Sequence, residues 1–385
     1  MPWRNSPHDY GTGTTSGTTV LLSPNPSEGM PGMKGSIRTF QQSLLAWFEI
    51  EARDLPWRRT KDPYCVYLSE IMLQQTRVDQ GTPYYERFLE RFPTIESLAE
   101  AEEEAVLKQW EGLGYYTRAR NLHRTARIIV EQYGGHFPES PELLQMLPGI
   151  GKYTAGAVAS IAFDKPAPVV DGNVKRVLAR LNAITEAVDL PATEEMLWAM
   201  ASALLPVKTP GDFNQAMMEL GARICTPKTP NCGECPVRRH CEACARNIQE
   251  SLPNKTAKKA VPHHEIVVAA LCREGKYLIG KRPSEGFLGG LWEFPGGKIQ
   301  SGETHQQALV RECREELGVT VKPGGLVAVA KHAYTHFKVT LNVYRCTLID
   351  GVPEARVHTE LRWVTPEEFS DYPFPKGNHK FLDLL

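Results

Sequence analysis

The sequence predicts two domains of different fold class, an all-α domain followed after a linker by a smaller α+β domain. Three observations predict it. From Arg38 to Ala245 nearly every segment repeats apolar residues at three- and four-residue spacing, the period of a helix with one buried face. From Glu265 onward, short β-branched and aromatic runs alternate with turn residues. Between them NIQESLPNKTAKKAVPHH is polar, basic and proline-bearing, as a linker is. The resulting boundaries are a tail at 1–36, a helical domain at 37–246, a linker at 247–264 and a second domain at 265–385.

The tail is rich in Gly, Ser, Thr and Pro. Such a stretch buries too little apolar surface to offset its ordering entropy, so disorder is expected, with Met30 or Met33 as candidate true starts. It lacks a basic segment followed by an apolar one, so it does not read as a secretion signal. No run approaches the ~18 apolar residues of a membrane helix, and 42% hydrophobic with 23% charged residues suits a globular chain. The net charge of −1 announces no polyanionic partner, although a basic face can hide in a neutral total.

Within the helical domain, Asp62-Pro63 and Asp171 read as helix starts, and Gly112 and Gly134-Gly135 as stops. Glu70 sits in LSEIMLQQTRV among apolar neighbours. A carboxyl on such a face is partly desolvated and raised in pKa, as a general acid requires; a solvent-edge Glu is the ordinary alternative. In LPGIGKYT, Gly149 and Gly151 free backbone N–H groups at a helix start, where phosphate binds, although a plain turn between helices reads the same way. Asp171 precedes a helix and by sequence alone reads as its N-cap.

Nine cysteines need a reason. Without a secretion signal the compartment reads as reducing, which disfavours disulfides. Cys225, Cys232, Cys235 and Cys241 are spaced C-x6-C-x2-C-x5-C, with Pro227, Pro230, Gly233 and Pro236 supplying turns. Four thiolates suit tetrahedral zinc and a [4Fe–4S] cluster equally well. Lys228, Arg238 and Arg239 in this loop suit phosphate contact or plain solvation. Cys65, Cys244, Cys272, Cys313 and Cys346 are scattered and read as packing residues.

In the second domain EIVVAALC, KYLIGKR, GLVAVAKHA, KVTLNVYRCTL and LRWV read as strands, and THQQALVRECREEL as one helix. Glu312, Glu315 and Glu316 share one face of that helix, where clustered carboxylates hold Mg²⁺ against a diphosphate or simply meet solvent.

The strings SEIMLQQTRV, EGLGYYTRARNLH, LPGIGKYTAGAV, VDGNVKRVLARL, FNQAMMELGARICTP and the cysteine loop, in this order, resemble the MutY adenine glycosylases of the helix-hairpin-helix superfamily over about Thr39 to Ala245. The resemblance favours [4Fe–4S] over zinc. It implies a base excision repair enzyme that cuts adenine from mispairs with 8-oxoguanine or guanine in double-stranded DNA, as a monomer in the bacterial cytoplasm. Glu70 would protonate adenine N7 and Asp171 would stabilise the oxocarbenium-like sugar, with Tyr153 and Asn173 in support. Trp57, Arg58 and Gln215 match positions around the extruded adenine. Gln75, Thr76, Leu113 and Tyr115 match those that wedge into the duplex. Endonuclease III-like relatives place a Schiff-base lysine where Tyr153 stands. Lys152 is adjacent, but one residue on a helix turns the side chain by ~100°, which implies a monofunctional glycosylase.

Gly297-x5-Glu303-x7-Arg311-Glu312-Cys313-Arg314-Glu315-Glu316-Leu317-Gly318-Val319 resembles the box of MutT-type Nudix hydrolases, with Cys313 where a bulky aliphatic is preferred. MutY proteins usually carry an eroded box, whereas this chain keeps the carboxylates. Tyr334, Thr335 and His336 resemble the family's lesion-reading Phe-Ser-His loop, and Asn378 falls where MutT proteins read the 8-oxoguanine base. Two alternatives stay open: the domain only reads 8-oxoguanine, or it also hydrolyses a nucleoside triphosphate with Mg²⁺. The competing whole-chain readings are an endonuclease III-like glycosylase/lyase and a pyrophosphohydrolase with a DNA-binding helical half.

Overall fold

The computed structural model describes residues 33–257, 260–334 and 336–385. Helices α1 (Ile37–Glu51), α2 (Pro63–Met72), α3 (Val78–Arg91), α4 (Ile95–Ala99), α5 (Glu103–Trp110), α6 (Thr117–Tyr133), α7 (Pro141–Gln145), α8 (Lys152–Phe163), α9 (Gly172–Leu181), α10 (Pro191–Leu204), α11 (Pro210–Arg223) and α12 (Glu242–Ala245) build the first part. Their ends follow local chemistry. Ser36 accepts the Thr39 N–H ahead of α1, Asp62 accepts from Tyr64 and Cys65 ahead of α2, and Asp171 accepts from Val174 ahead of α9. Gly134, at φ 60°, closes α6.

Helix α2 is buried from Val66 to Met72, and α8 from Thr154 to Ile161. A centre this crowded needs small residues. At Gly156 the Pro168 carbonyl lies 2.3 Å from where a Cβ would sit. Helix α8 packs on α2 and α11, and α11 on α9. Glu70 near the end of α2 and the starts of α8 and α9 thereby line one cleft.

The second part is a seven-stranded mixed sheet with one helix. Its elements are β1 (His263–Arg273), β2 (Lys276–Lys281), β3 (Trp292–Glu293), β4 (Gly296–Lys298), α13 (His305–Leu317), β5 (Thr320–Ala333), β6 (Lys338–Asp350) and β7 (Glu360–Val364). The order is β3-β2-β1-β6-β5, with β4 also pairing β1 and β7 also pairing β2. Strands β1 and β6 run parallel from His263↔Lys338 to Leu271↔Cys346; the other pairs are antiparallel. Helix α13 covers one face with Leu309, Cys313 and Leu317, so the cysteine fills the site of a bulky aliphatic. Phe294, Phe369, Phe374 and Phe381 pack the other face.

Three expectations change. Residues 1–32 of the expected tail lie outside the described residues, but its last four do not behave as a tail. Met33 is buried, the Lys34 N–H donates to the His240 carbonyl, and Ser36 caps α1. Much of the expected linker is strapped to the helices: Leu252 is buried, the Val188 N–H donates to the Asn254 carbonyl, and Thr256 donates to Asp189. Strand β1 already begins at His263. Lastly, β3 and β4 lie in GLWEFPGGK, whose glycines and proline masked them as strands.

The two parts share an interface. Glu104 accepts from Lys281 Nζ (2.7 Å) and Trp292 Nε1 (2.9 Å). Glu111 accepts from the Phe374 N–H (2.8 Å) and bonds His379 Nε2 (3.0 Å). Arg120 donates to the Gly289 carbonyl, and Leu291 joins the helical core. Among the described residues no helix is long and apolar enough to cross a membrane.

Candidate active site

Glu70 lies two residues before the end of α2 and is 9% exposed. Burial pushes its carboxyl up to about 7, and the nearby Asp171 charge pushes the same way. The Tyr153 hydrogen bond and the Arg58 charge oppose the rise. Tyr153 Oη donates to Glu70 Oε2 at 2.5 Å and lies 3.3 Å from Met218 Sδ. Burial, then the two carboxylates, hold the Tyr153 phenol well above its ordinary value, so it is a permanent donor.

Asp171 is both a cap and a carboxylate of the cleft. Oδ1 accepts the Val174 N–H (2.7 Å) and Oδ2 accepts Asn173 Nδ2 (2.9 Å). Burial raises its pKa against the pull of those bonds. Asn173 is anchored by Arg176 Nη2 (2.8 Å), and Arg176 Nε reaches the Cys225 carbonyl (2.7 Å). Two carboxyl groups thus face one cleft, one poised to hold a proton near neutrality and the other braced by amide donors. This division of roles is what acid-assisted cleavage of a glycosidic bond needs.

Trp57, Arg58 and Gln215 line the same cleft. Trp57 is buried edge-on against Tyr85. Arg58 Nη2 pairs with Glu219 Oε2 (2.8 Å), and Arg53 Nε with Glu219 Oε1 (2.7 Å). Burial pushes Glu219 up, but the two arginines outweigh it and hold the carboxyl at about 2. Lys152 faces elsewhere, its Nζ 4.1 Å from the centre of the Trp198 ring.

Gln75 and Thr76 edge the cleft on the turn after α2. Tyr115 is exposed, and Leu113 beside it is 7% exposed. Gln75 (φ 60°) and Tyr115 (φ 49°) hold left-handed backbone, which costs a non-glycine residue about 1–2 kcal/mol. Leu113 is packed against the helical core. Gly149 (φ 76°) and Gly151 sit exposed in the turn between α7 and α8, and no side chain caps the α8 N–H groups. Those free donors suit a phosphate.

Cys225, Cys232, Cys235 and Cys241 line one small cavity. Arg180 Nη1 reaches Cys225 Sγ at 3.3 Å. Burial and the proximity of the other thiols push Cys232 and Cys241 up to about 11. Four cysteines around one cavity are the donor set that an iron–sulfur cluster takes. Cys244, read as a packing residue, lines this cavity as well; the sequence signal was its position three residues after Cys241.

In the second part Arg311 gathers the carboxylates: Glu303 (2.8 Å), Glu312 (2.7 Å) and Glu315 (3.2 Å). Glu316 turns inward to accept the Gly296 N–H (3.0 Å), and burial raises it to about 7. Of Glu312, Glu315 and Glu316, the first two are therefore paired to Arg311 and the third is turned into the fold. Tyr334 packs among His332, Phe287 and Phe337. Thr335 lies outside the described residues, His336 is exposed and Asn378 is buried. Glu219, Arg176 and Gln74 were missed by the sequence reading, because each has a partner far away in the chain.

A family model described as HhH-GPD superfamily base excision DNA repair protein matches residues 68–202. The iron-sulfur binding domain of endonuclease III matches 225–241, and the NUDIX domain matches 266–384. The adenine DNA glycosylase of Rattus norvegicus is 37% identical over 387 residues, covering 86% of this chain and 75% of that protein. That of Homo sapiens is 38% identical, covering 86% and 71%. That of Schizosaccharomyces pombe is 30% identical, covering 86% of each.

Proposed function

The chain belongs to the adenine DNA glycosylases, base excision repair enzymes that hydrolyse N-glycosyl bonds, and from that membership we propose that Glu70 and Asp171 perform the cleavage on adenine opposite 8-oxoguanine or guanine. The observation that carries the reading is the buried Glu70 carboxyl, raised to about 7, facing the same cleft as Asp171. Adenine is a poor leaving group. A duplex base must also leave the stack before a carboxyl reaches it. Protonated Glu70 delivers its proton to N7, and the C1′–N9 bond breaks with its electrons moving into the base. Asp171, steadied by Asn173 and the Val174 N–H, offsets the positive charge left on the sugar. Water then completes hydrolysis. Tyr153 holds the Glu70 oxygen in place. Lys152, turned to Trp198, supports a monofunctional enzyme without a lysine adduct.

Residues 225–241 form an iron–sulfur-binding segment. We read the group as [4Fe–4S] held by Cys225, Cys232, Cys235 and Cys241, which when bound braces the loop behind Arg176. Gln75, Thr76, Tyr115 and the Gly149–Gly151 turn are read as the duplex-gripping set, acting in a monomer in the bacterial cytoplasm, and Tyr334, Thr335 and His336 as readers of 8-oxoguanine.

The test is excision from an 8-oxoguanine:adenine duplex. Glu70→Gln should lower the single-turnover rate by about 10²-fold or more. Wild-type rate in that variant would end the assignment. A second reading of the NUDIX domain is favoured by the three glutamates on α13: Mg²⁺ held by Glu312, Glu315 and Glu316, with Asn378 against the base, hydrolysing 8-oxo-dGTP. Release of monophosphate that Glu315→Gln abolishes would establish it, and no release would remove it.

A further inference from the structure

Arg118 is used by none of the chemistry above, yet it holds two working loops together. Its Nη1 donates to the carbonyls of Ile71 (2.8 Å), Met72 (3.1 Å) and Gln74 (2.5 Å) at the end of α2. Its Nη2 donates to Gly114 (3.1 Å) and Leu113 (3.5 Å) in the turn before α6. Its Nε is buried and has no partner among the described residues. A buried arginine ordinarily meets a carboxylate. Here it meets the last carbonyls of a helix, which lack partners of their own and favour a cation. Burial pushes the group down to about 10, so it stays charged at neutral pH. The rings of Trp110 and Tyr115 lie 5.2 and 5.5 Å from it.

The carbonyls that Nη1 grips belong to residues within four of Glu70. Gln74 is tied in turn, since its Nε2 donates to Thr154 Oγ1 (3.2 Å), next to Tyr153, the residue bonded to Glu70. The far side of the turn is held by the NUDIX domain: Lys376 donates to the Gly112 carbonyl (3.3 Å) and Tyr116 Oη to the Phe374 carbonyl (3.2 Å).

We propose that Arg118 is a positioning residue for base excision, setting Glu70 by tying the end of α2 to the Gly112–Tyr116 turn. The proposal rests on Glu70 being the acid. Misplacing a reacting group by ~1 Å costs about 10²-fold, so a clamp at the helix end acts on rate more than on affinity.

The experiment uses the full-length holoprotein and the 8-oxoguanine:adenine duplex, with single-turnover rates at saturating protein and the duplex Kd measured across pH. Arg118→Met is expected to lower the rate at least about tenfold with Kd within about threefold. It should also move the alkaline limb of the pH–rate profile to lower pH, as water reaches Glu70 and eases its ionisation. Arg118→Lys should recover part of the rate. Thr154→Val, which keeps the shape but loses the Gln74 bond, should move the limb the same way and decides the matter if Arg118→Met does not fold. Wild-type rate and limb in these variants, with Glu70→Gln inactive, would overturn the proposal alone. A loss that tracks melting temperature and Kd with the limb unmoved would also overturn it. Full activity in Glu70→Gln would instead overturn the acid assignment on which it stands.

Discussion

Glu70 joins chemistry to stability in one carboxyl. Its folded pKa of about 7 lies above its ordinary value, so between the two the native state holds a proton that the unfolded chain releases. The sign follows: this group's contribution to stability is greatest at low pH and declines as pH rises through about 7. A shift of this size corresponds to roughly 3 kcal/mol. Glu70→Gln should therefore melt higher than wild type at pH 8, with the gap closing toward pH 5, as calorimetry at the two pH values would show. Excision by the wild-type enzyme should fall as pH rises through the same range. The sequence made Glu70 legible because its apolar neighbours are local. It hid Glu219, whose arginine partners lie more than 160 residues away. An ion pair between distant segments leaves no periodic trace.

At the scale of elements, α9 shows how one residue can be read correctly and incompletely. Asp171 does cap the helix, as its position before Gly172 suggests. It also carries a second oxygen that faces Asn173 and the cleft, and only packing of α9 against α11 reveals that. The two roles separate by substitution. Asn caps nearly as well as Asp, whereas Ala loses about 1 kcal/mol of helix stabilisation. Asp171→Asn should keep its melting temperature and lose excision, while Asp171→Ala should lose both, read by thermal melting beside single-turnover rates. The helices were legible through their caps and their period, and β1, β2, β5, β6 and β7 through their β-branched runs. Strands β3 and β4 were not, because strands of two and three residues, the second of them mostly glycine, are made by their neighbours rather than by propensity.

For the whole molecule, the junction between the helices and the sheet rests on a few acidic residues of α5 and its end. Glu111 takes the Phe374 N–H and His379 from the NUDIX domain and Lys108 from its own helix. Burial pushes its carboxyl up, but these bonds outweigh it and hold it below the usual range. Removing the shared acceptor of this half-buried set leaves the Phe374 N–H without its partner, at about 1–3 kcal/mol. Glu111→Ala should loosen the sheet from the helices and make residues 247–264 more sensitive to limited proteolysis. If the sheet reads the lesion, the same variant should slow excision opposite 8-oxoguanine more than opposite guanine. The junction was not legible in the sequence, where Glu111 is one of many glutamates in EAEEEAVLKQWEG.

Gln75 and Tyr115 hold backbone that a glycine would adopt without strain. Anyone ranking substitutions for heat resistance would put Gly at both positions near the top. Both lie on the turns that Arg118 joins, and Gln75 also edges the cleft, so the same changes would strip away the side chains that we propose grip the duplex. On that proposal, a search guided by thermal tolerance alone would select sturdier molecules at the expense of their hold on DNA.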